Sequence, residues 1–383
     1  MLAYIILENF KGFKEKTYID FRKTNYTILP QNVGENDLLK GLAFVGANGS
    51  GKSTVLEAVK LLMDLMFSEN TIHFSYFKSL LTDRNDFSVE YGFKINEADI
   101  IYKISCNFAN MSIFERLEKN KQLLFVRDGK DARGYFENGQ EKVYDSKLIK
   151  PDGFFLRTLY FNGQLVHDES LVAWMDFLKN SKYVSAAPSV GDLQEYSSAH
   201  DPFYENDGVQ KINAFLEEIG YDQRVFFANS VTGAHYSIDS TEKILFYQRQ
   251  GLEMPVPFIQ ESLGNRTLIK VLNAYLPVLE NGGLLLIDEF SAGFHSALEC
   301  VLIKYFMEKS KNSQMVIVSH SVPMLNNSVL RPDQEYAVEF QGSKGIALNR
   351  FSNMQPRNSQ NISKMYLSGV FGGKPVYEDN FKV

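Results

Sequence analysis

The octet Gly46-Ala47-Asn48-Gly49-Ser50-Gly51-Lys52-Ser53 fits G-x-x-x-x-G-K-[ST] and constrains this chain more than any other feature. The apolar run Leu42-Ala43-Phe44-Val45 leads into it as a buried strand, and Thr54 to Leu62 leaves it with helical spacing. In a strand–loop–helix of this kind, backbone N–H groups close around a β-phosphate and the helix N-terminus adds partial positive charge. The spacing therefore predicts a nucleotide cradle made of Asn48, Gly49, Ser50, Gly51, Lys52, Ser53 and Thr54. Lys52 is expected to reach the β- and γ-phosphates and Ser53 to ligate Mg²⁺. The alternative, a glycine-rich turn that fits by chance, does not account for flanks this regular.

A second half of such a site stands far downstream. Gly283-Leu284-Leu285-Leu286-Ile287-Asp288-Glu289 reads as a buried parallel strand that ends in two carboxylates, and ligands sit beyond the carboxyl ends of such strands. Asp288 is placed to hold Mg²⁺, and Glu289 to orient or deprotonate an attacking water. The alternative is a strand that merely ends in exposed acids. Before it comes Glu261-Ser262-Leu263-Gly264-Asn265, a small turn opening an apolar helix, where Ser262 and Gly264 could present hydroxyl and N–H groups to a γ-phosphate. After it, Met315-Val316-Ile317-Val318 ends at Ser319-His320, where a histidine can donate to a γ-phosphate. A lone Ser-x-Gly or a lone His is more often structural; their order along the chain is the stronger signal.

That order resembles the ABC-type ATPase heads. About two hundred residues separate Ser53 from Ser262 and the Leu-Ser-Gly-Gly-Gln consensus is absent, so the chain is similar to the SMC/RecF/OLD branch and not to transporter subunits. The resemblance implies an α/β fold: an ABC-type P-loop NTPase head with a split αβ core and an antiparallel β lobe, plus an inserted mixed helical and strand lobe. It also implies ATP and Mg²⁺ as cofactors. Two heads would meet head to tail, so that Ser262 and Gly264 of one subunit cap the ATP held by Lys52 of the other.

Softer matches point further. Ile5 to Phe13, Glu35 to Lys40, Glu115-Arg116-Leu117, Asp288-Glu289-Phe290 with Phe294-His295, and Met365 to Pro375 resemble AAA-family ATPases of abortive-infection systems of the AbiL/RloA type. In that type the companion is a separate, nuclease-like effector. Two departures stand out: Gly49 where that family has Ala, and Asn265 where its signature region has Thr. Neither removes a group the chemistry needs. No nuclease pattern is apparent, and about forty residues follow position 340, so an effector is expected to be another protein. The function implied is a slow ATPase acting as sensor or regulator of anti-phage defence. The alternatives are a RecF-like DNA-repair ATPase and an ATP-bound scaffold with little turnover.

Composition agrees with a multi-lobed enzyme: 383 residues, 44% apolar and 22% charged. The divisions expected are 1–110 (first half of the head), 111–255 (inserted lobe and returning strands), 256–345 (second half) and 346–383 (tail). Strand pairs are expected around Phe87–Phe93 and Ile100–Cys106, with a further hairpin from Lys121 to Asp145 turning at Asn138-Gly139. Helices are expected over 170–181 and 208–220, a polar loop near 188–192, and no coiled-coil arm. No apolar run has the length of a membrane span and Met1-Leu2-Ala3-Tyr4 is not a secretory signal, so a cytoplasmic chain with no membrane partner is expected. Cys106 and Cys300 read as core thiols. The net charge of −6 argues against a broad DNA-binding face, although Lys11, Lys14, Lys16, Arg22 and Lys23 leave DNA possible; such a run is more often a solvated face. Gln164 reads either as a glutamine linking Mg²⁺ to the lobe or as an ordinary strand-end Gln. His295 either belongs to the site or satisfies a local backbone group. His167, His200 and His235 lack the companions of a metal site.

Overall fold

The computed structural model describes residues 1–69, 72–136, 139–150, 153–187, 202–205, 207–233 and 236–374. The turn expected at Asn138-Gly139 lies partly outside these residues, and the loop at 188–192, His200 and His235 lie wholly outside them.

Six strands form the sheet that the octet Gly46–Ser53 leaves. Their order is Lys182–Ser185, Gly283–Asp288, Ser313–Ser319, Gly41–Val45, Glu335–Phe340 and Ile346–Arg350. The first five run parallel and the last antiparallel. Gly41–Val45 and Ser313–Ser319 are buried at every position, which is why Leu42–Val45 and Met315–Val318 are continuous apolar runs and not alternations.

The other large sheet has eight antiparallel strands and runs from Leu2–Glu8 and Thr17–Asp20 through a meander that ends at Lys142–Tyr144. Here the apolar–polar alternation is clean: in Ala98–Asn107 every second residue is buried. Helix Lys52–Phe67 lies between the two sheets. Its Leu56, Val59 and Leu62 share one core with Ile5, Val89 and Ile104 of the antiparallel sheet and with Leu286, Val316 and Val318 of the parallel one. The Tyr91 hydroxyl donates to the Ala58 carbonyl at 2.6 Å, tying sheet to helix. Gln314 grips the first strand, accepting from Leu2 N–H at 2.6 Å and donating to the Leu2 carbonyl at 2.9 Å.

The opposite face of the parallel sheet, Leu285, Ile287, Met315 and Ile317, packs on helices Leu263–Asn281 and Ser296–Lys309. A three-stranded sheet, Gln223–Thr232, Ser237–Arg249 and Val256–Pro257, leads into the first of these helices.

The expected division at residue 110 falls inside the antiparallel sheet, because Ile100 to Asn107 of strand Ala98–Asn107 pair with the whole of Ser112–Lys119. The segment 111–255 also shares the two cores instead of building its own. Its helix Glu169–Lys179 carries Trp174, fully buried against Phe93 and Tyr102. From Val184 onward it feeds the second core, through Val184, Ile212, Phe215, Val225, Leu245 and Tyr247. The physical reason is strand Lys182–Ser185, which crosses to the edge of the parallel sheet and pairs with Gly283–Asp288. Cys106 is buried, which pushes its thiol up to about 12; Cys300 is only half-buried, at the rim of the second core. No helix among the described residues is long and apolar enough to cross a membrane.

Candidate nucleotide site

Three neighbouring parallel strands, Gly283–Asp288, Ser313–Ser319 and Gly41–Val45, end at the same edge of the sheet. Their carboxyl ends therefore bring together Asp288 with Glu289, His320, and the octet that begins at Gly46. Gly51, at φ 96°, turns the loop into the helix in the left-handed region, a conformation that favours glycine. Asn48 and Gly49 are exposed at the tip, Thr54 is half-buried, and Ser50 is buried with a hydroxyl that has no partner.

The Lys52 ammonium is folded back on the loop, donating to the Gly46 carbonyl at 3.1 Å and the Ala47 carbonyl at 2.9 Å. Burial pulls its pKa down, and the charges of Glu289 and Asp288 oppose that. The Ser53 hydroxyl donates to Asp288 Oδ1 at 3.1 Å, and the Glu289 N–H donates to the same oxygen at 3.0 Å. Burial raises the Asp288 carboxyl, while these two hydrogen bonds hold it back. Glu289 sits at φ 52°, a left-handed conformation that costs a non-glycine residue on the order of 1 kcal/mol or more and collects at functional sites. His320 Nε2 lies 3.6 Å from Glu289 Oε2, and its ring hydrogen-bonds the Gly46 carbonyl. Burial, then the charge on Lys52, lower its pKa, so the ring is neutral at neutral pH.

These groups fit a nucleotide with its metal. Ser53 and Asp288 are within 3.1 Å of each other, as two ligands of one small cation are. The open glycine tip, the orphaned Ser50 hydroxyl and an ammonium resting on carbonyls are donors that an anion would engage.

Ser262 and Gly264 are not in this cluster: among the described residues, none of its hydrogen bonds reaches them. Ser262 caps helix Leu263–Asn281, accepting from Asn265 N–H at 3.3 Å, and is exposed with Leu263 beside it. Gly264 is where the helix meets the segment after the acids: a Cβ there would lie 2.6 Å from the Gly293 carbonyl oxygen. Asn265, the departure noted in the sequence, is a buried hub. It accepts from Tyr221 Oη and donates to Gln223 Oε1, both at 2.7 Å, and donates to Glu261 Oε2 at 2.8 Å. Glu261, wholly buried, takes both Nε and Nη2 of Arg249. The turn is thus clamped to the three-stranded sheet.

Gln164 lies in the turn after helix Phe155–Phe161, where its Oε1 accepts from Tyr144 Oη at 2.6 Å on the antiparallel sheet; it is neither a strand end nor beside Ser53. His295 caps helix Ser296–Lys309 by accepting from Ala297 N–H at 3.2 Å, the local backbone role. Sequence reasoning missed Tyr183, on the edge strand beside the acids: its hydroxyl hydrogen-bonds Asp288, and partial desolvation of the ring's inner side, then the Asp288 charge, push its pKa up to about 12 although the residue as a whole is exposed. Of the basic residues near the N-terminus, Lys11, Arg22 and Lys23 pair with Glu57, Asp20 and Asp37, and Lys14 reaches the Ser343 carbonyl.

A family model for the AbiEii toxin-type AAA domain of the type IV TA systems matches residues 42–325, more than half of the chain and both halves of this site. The chain belongs to that AAA-domain family. Among solved structures it is similar to the SMC head bound to the C-winged helix domain of ScpA, at 13% identity over 92% of this chain and 99% of that one, with a TM-score of 0.53. It is also similar to the SMC head domain from Thermotoga maritima (14%, 91% and 97%, TM-score 0.47) and to the recombination mediator protein RecF in its ATPrS structure (15%, 84% and 92%, TM-score 0.39). No curated protein sequence matches the chain. At these identities the likeness is one of fold, and the fold of this AAA-domain protein is that of an SMC head.

Proposed function

We propose that the chain binds and slowly hydrolyses ATP, that two copies close head to tail around the nucleotide, and that this cycle controls a separate effector in anti-phage defence. The observation that carries the reading is the split of the site. Lys52, Ser53, Asp288, Glu289 and His320 converge at one sheet edge, whereas Ser262, exposed, and Gly264, half-buried, open helix Leu263–Asn281 and make no hydrogen bond to any of them.

The roles follow from the groups. Lys52 exchanges its loop carbonyls for phosphate oxygens, and the N–H groups of Gly49 to Thr54 line the phosphates, with Asn48 at the rim. Ser53 and Asp288 hold Mg²⁺, which when bound draws charge from the phosphates. Glu289 orients the water and takes its proton, and neutral His320 donates to the γ-phosphate. The partner's Ser262 and Gly264 complete the site.

The effector reading is supported by family membership and by the abortive-infection resemblance. It is tested by phage challenge of cells carrying this gene with its neighbours: Lys52→Ala should abolish protection, and undiminished protection would contradict it. The head-to-tail arrangement is tested by mixing Lys52→Ala with Ser262→Arg. Each alone should be inactive, and the mixture should recover ATPase activity, because one composite site per dimer is then intact. Failure to recover any activity would count against a shared site.

A further inference from the structure

The segment beyond the last strand of the parallel sheet has no role in the reading above, yet it is fastened to both loops that carry the site. Helix Ile362–Leu367 is held at Ser363, whose hydroxyl donates to the carbonyls of Val322 at 3.1 Å and Leu325 at 2.6 Å, in the turn that follows His320. A few residues on, the Gly373 carbonyl accepts from the Ala47 N–H at 3.1 Å and from Tyr366 Oη at 3.1 Å. Phe371 between them is buried and lies flat on Phe351, ring centroids 3.9 Å apart and planes 5° from parallel.

The Ala47 N–H belongs to the same peptide plane as the Gly46 carbonyl. That carbonyl is the one on which Lys52 rests and to which the His320 ring hydrogen-bonds. One planar peptide unit therefore carries the C-terminal segment on its N–H side and two groups of the proposed chemistry on its C=O side. Moving Lys52 toward a phosphate frees one side of this unit while Gly373 still holds the other. Gly373 has no slack: at φ 66°, a Cβ would lie 3.0 Å from the Val338 carbonyl oxygen and 3.1 Å from Ala337 Cβ, on strand Glu335–Phe340.

We propose that residues 361–374 are a working part of the nucleotide site: a strap that pins the Gly46–Ala47 peptide, joins it to the turn after His320, and changes its own exposure when nucleotide binds. The proposal rests on the nucleotide reading above. Its consequence is that nucleotide affinity depends on residues far from the phosphates.

The test uses the full chain, ATP with Mg²⁺, and two readouts other than turnover: equilibrium ATP binding, and amide hydrogen exchange across 361–374. Wild type should bind ATP and exchange more slowly over 369–374 when it does. Gly373→Val should weaken binding by about tenfold, and Tyr366→Phe, which removes one hydrogen bond and no packing, by about threefold to fivefold. If Gly373→Val fails to fold, Tyr366→Phe and the wild-type exchange pattern still decide. Wild-type ATP affinity in Tyr366→Phe, together with exchange over 369–374 that ignores ATP, would overturn the strap. Absence of ATP binding by the wild type, equal to that of Lys52→Ala, would remove the nucleotide reading itself and the strap with it, and is a separate result.

Discussion

Glu289 is held in a left-handed conformation directly after a strand that ends in Asp288, with its N–H on that neighbour's carboxylate. The strain separates two effects of replacing it. Glu289→Gln keeps the shape and removes the base, so ATP should still bind while turnover falls by roughly 10²- to 10⁴-fold, read by steady-state phosphate release. Glu289→Gly removes the base and the strain, so it should raise thermal stability by about 1 kcal/mol while turnover is lost, read by calorimetry. His320 gives a pH signature. Its folded-state pKa is below the unfolded value, so the folded protein binds fewer protons, and the stability this represents is present above about pH 6.5 and lost as pH falls. Melting temperature should therefore drop less between pH 7 and pH 5 in His320→Gln than in the wild type. These residues were legible because each stands in a short motif at the end of an apolar strand. Asn265 was not: its importance comes from Tyr221, Gln223 and Glu261, two of which lie some forty residues away in sequence and meet it only in the fold.

At the scale of elements, sequence period gave the large pieces correctly wherever burial is uniform. The strand before the octet and the helix after it form as expected, and the hairpin of Phe87 with Cys106 shows the expected pairing. Strand Lys182–Ser185 was missed for a physical reason: it has four residues at a sheet edge, of which Lys182 and Tyr183 are exposed, so neither alternation nor an apolar run marks it. The Glu115-Arg116-Leu117 match was visible but its meaning was not. Glu115 is completely buried, accepting from Arg127 Nη1 at 2.9 Å, Tyr102 Oη at 2.8 Å and the Phe155 N–H at 2.7 Å, so it joins the antiparallel sheet to the start of helix Phe155–Phe161. Glu115→Ala leaves the Arg127 guanidinium buried without its carboxylate and should cost about 3–5 kcal/mol in denaturant unfolding. A loss below about 1 kcal/mol would show that the helix does not depend on this pair.

Over the whole molecule, the parallel sheet has a core on each face, and the proposed chemistry sits at the edge where both cores stop. Helix Lys52–Phe67, packed on the antiparallel sheet, carries Ser53; helix Leu263–Asn281, on the other face, is capped by Ser262. In the proposed reading, a head built in this way exposes half of a nucleotide site on each of two surfaces, and a second copy would supply the complement. The central claim is that ATP closes the pair. Mass by light scattering on Glu289→Gln, with and without ATP and Mg²⁺, tests it most directly. The account predicts a monomer without nucleotide and a dimer with it, and no such rise when Ser262→Arg is added to the same chain. An unchanged mass with ATP bound, or the same assembly with and without nucleotide, would contradict it.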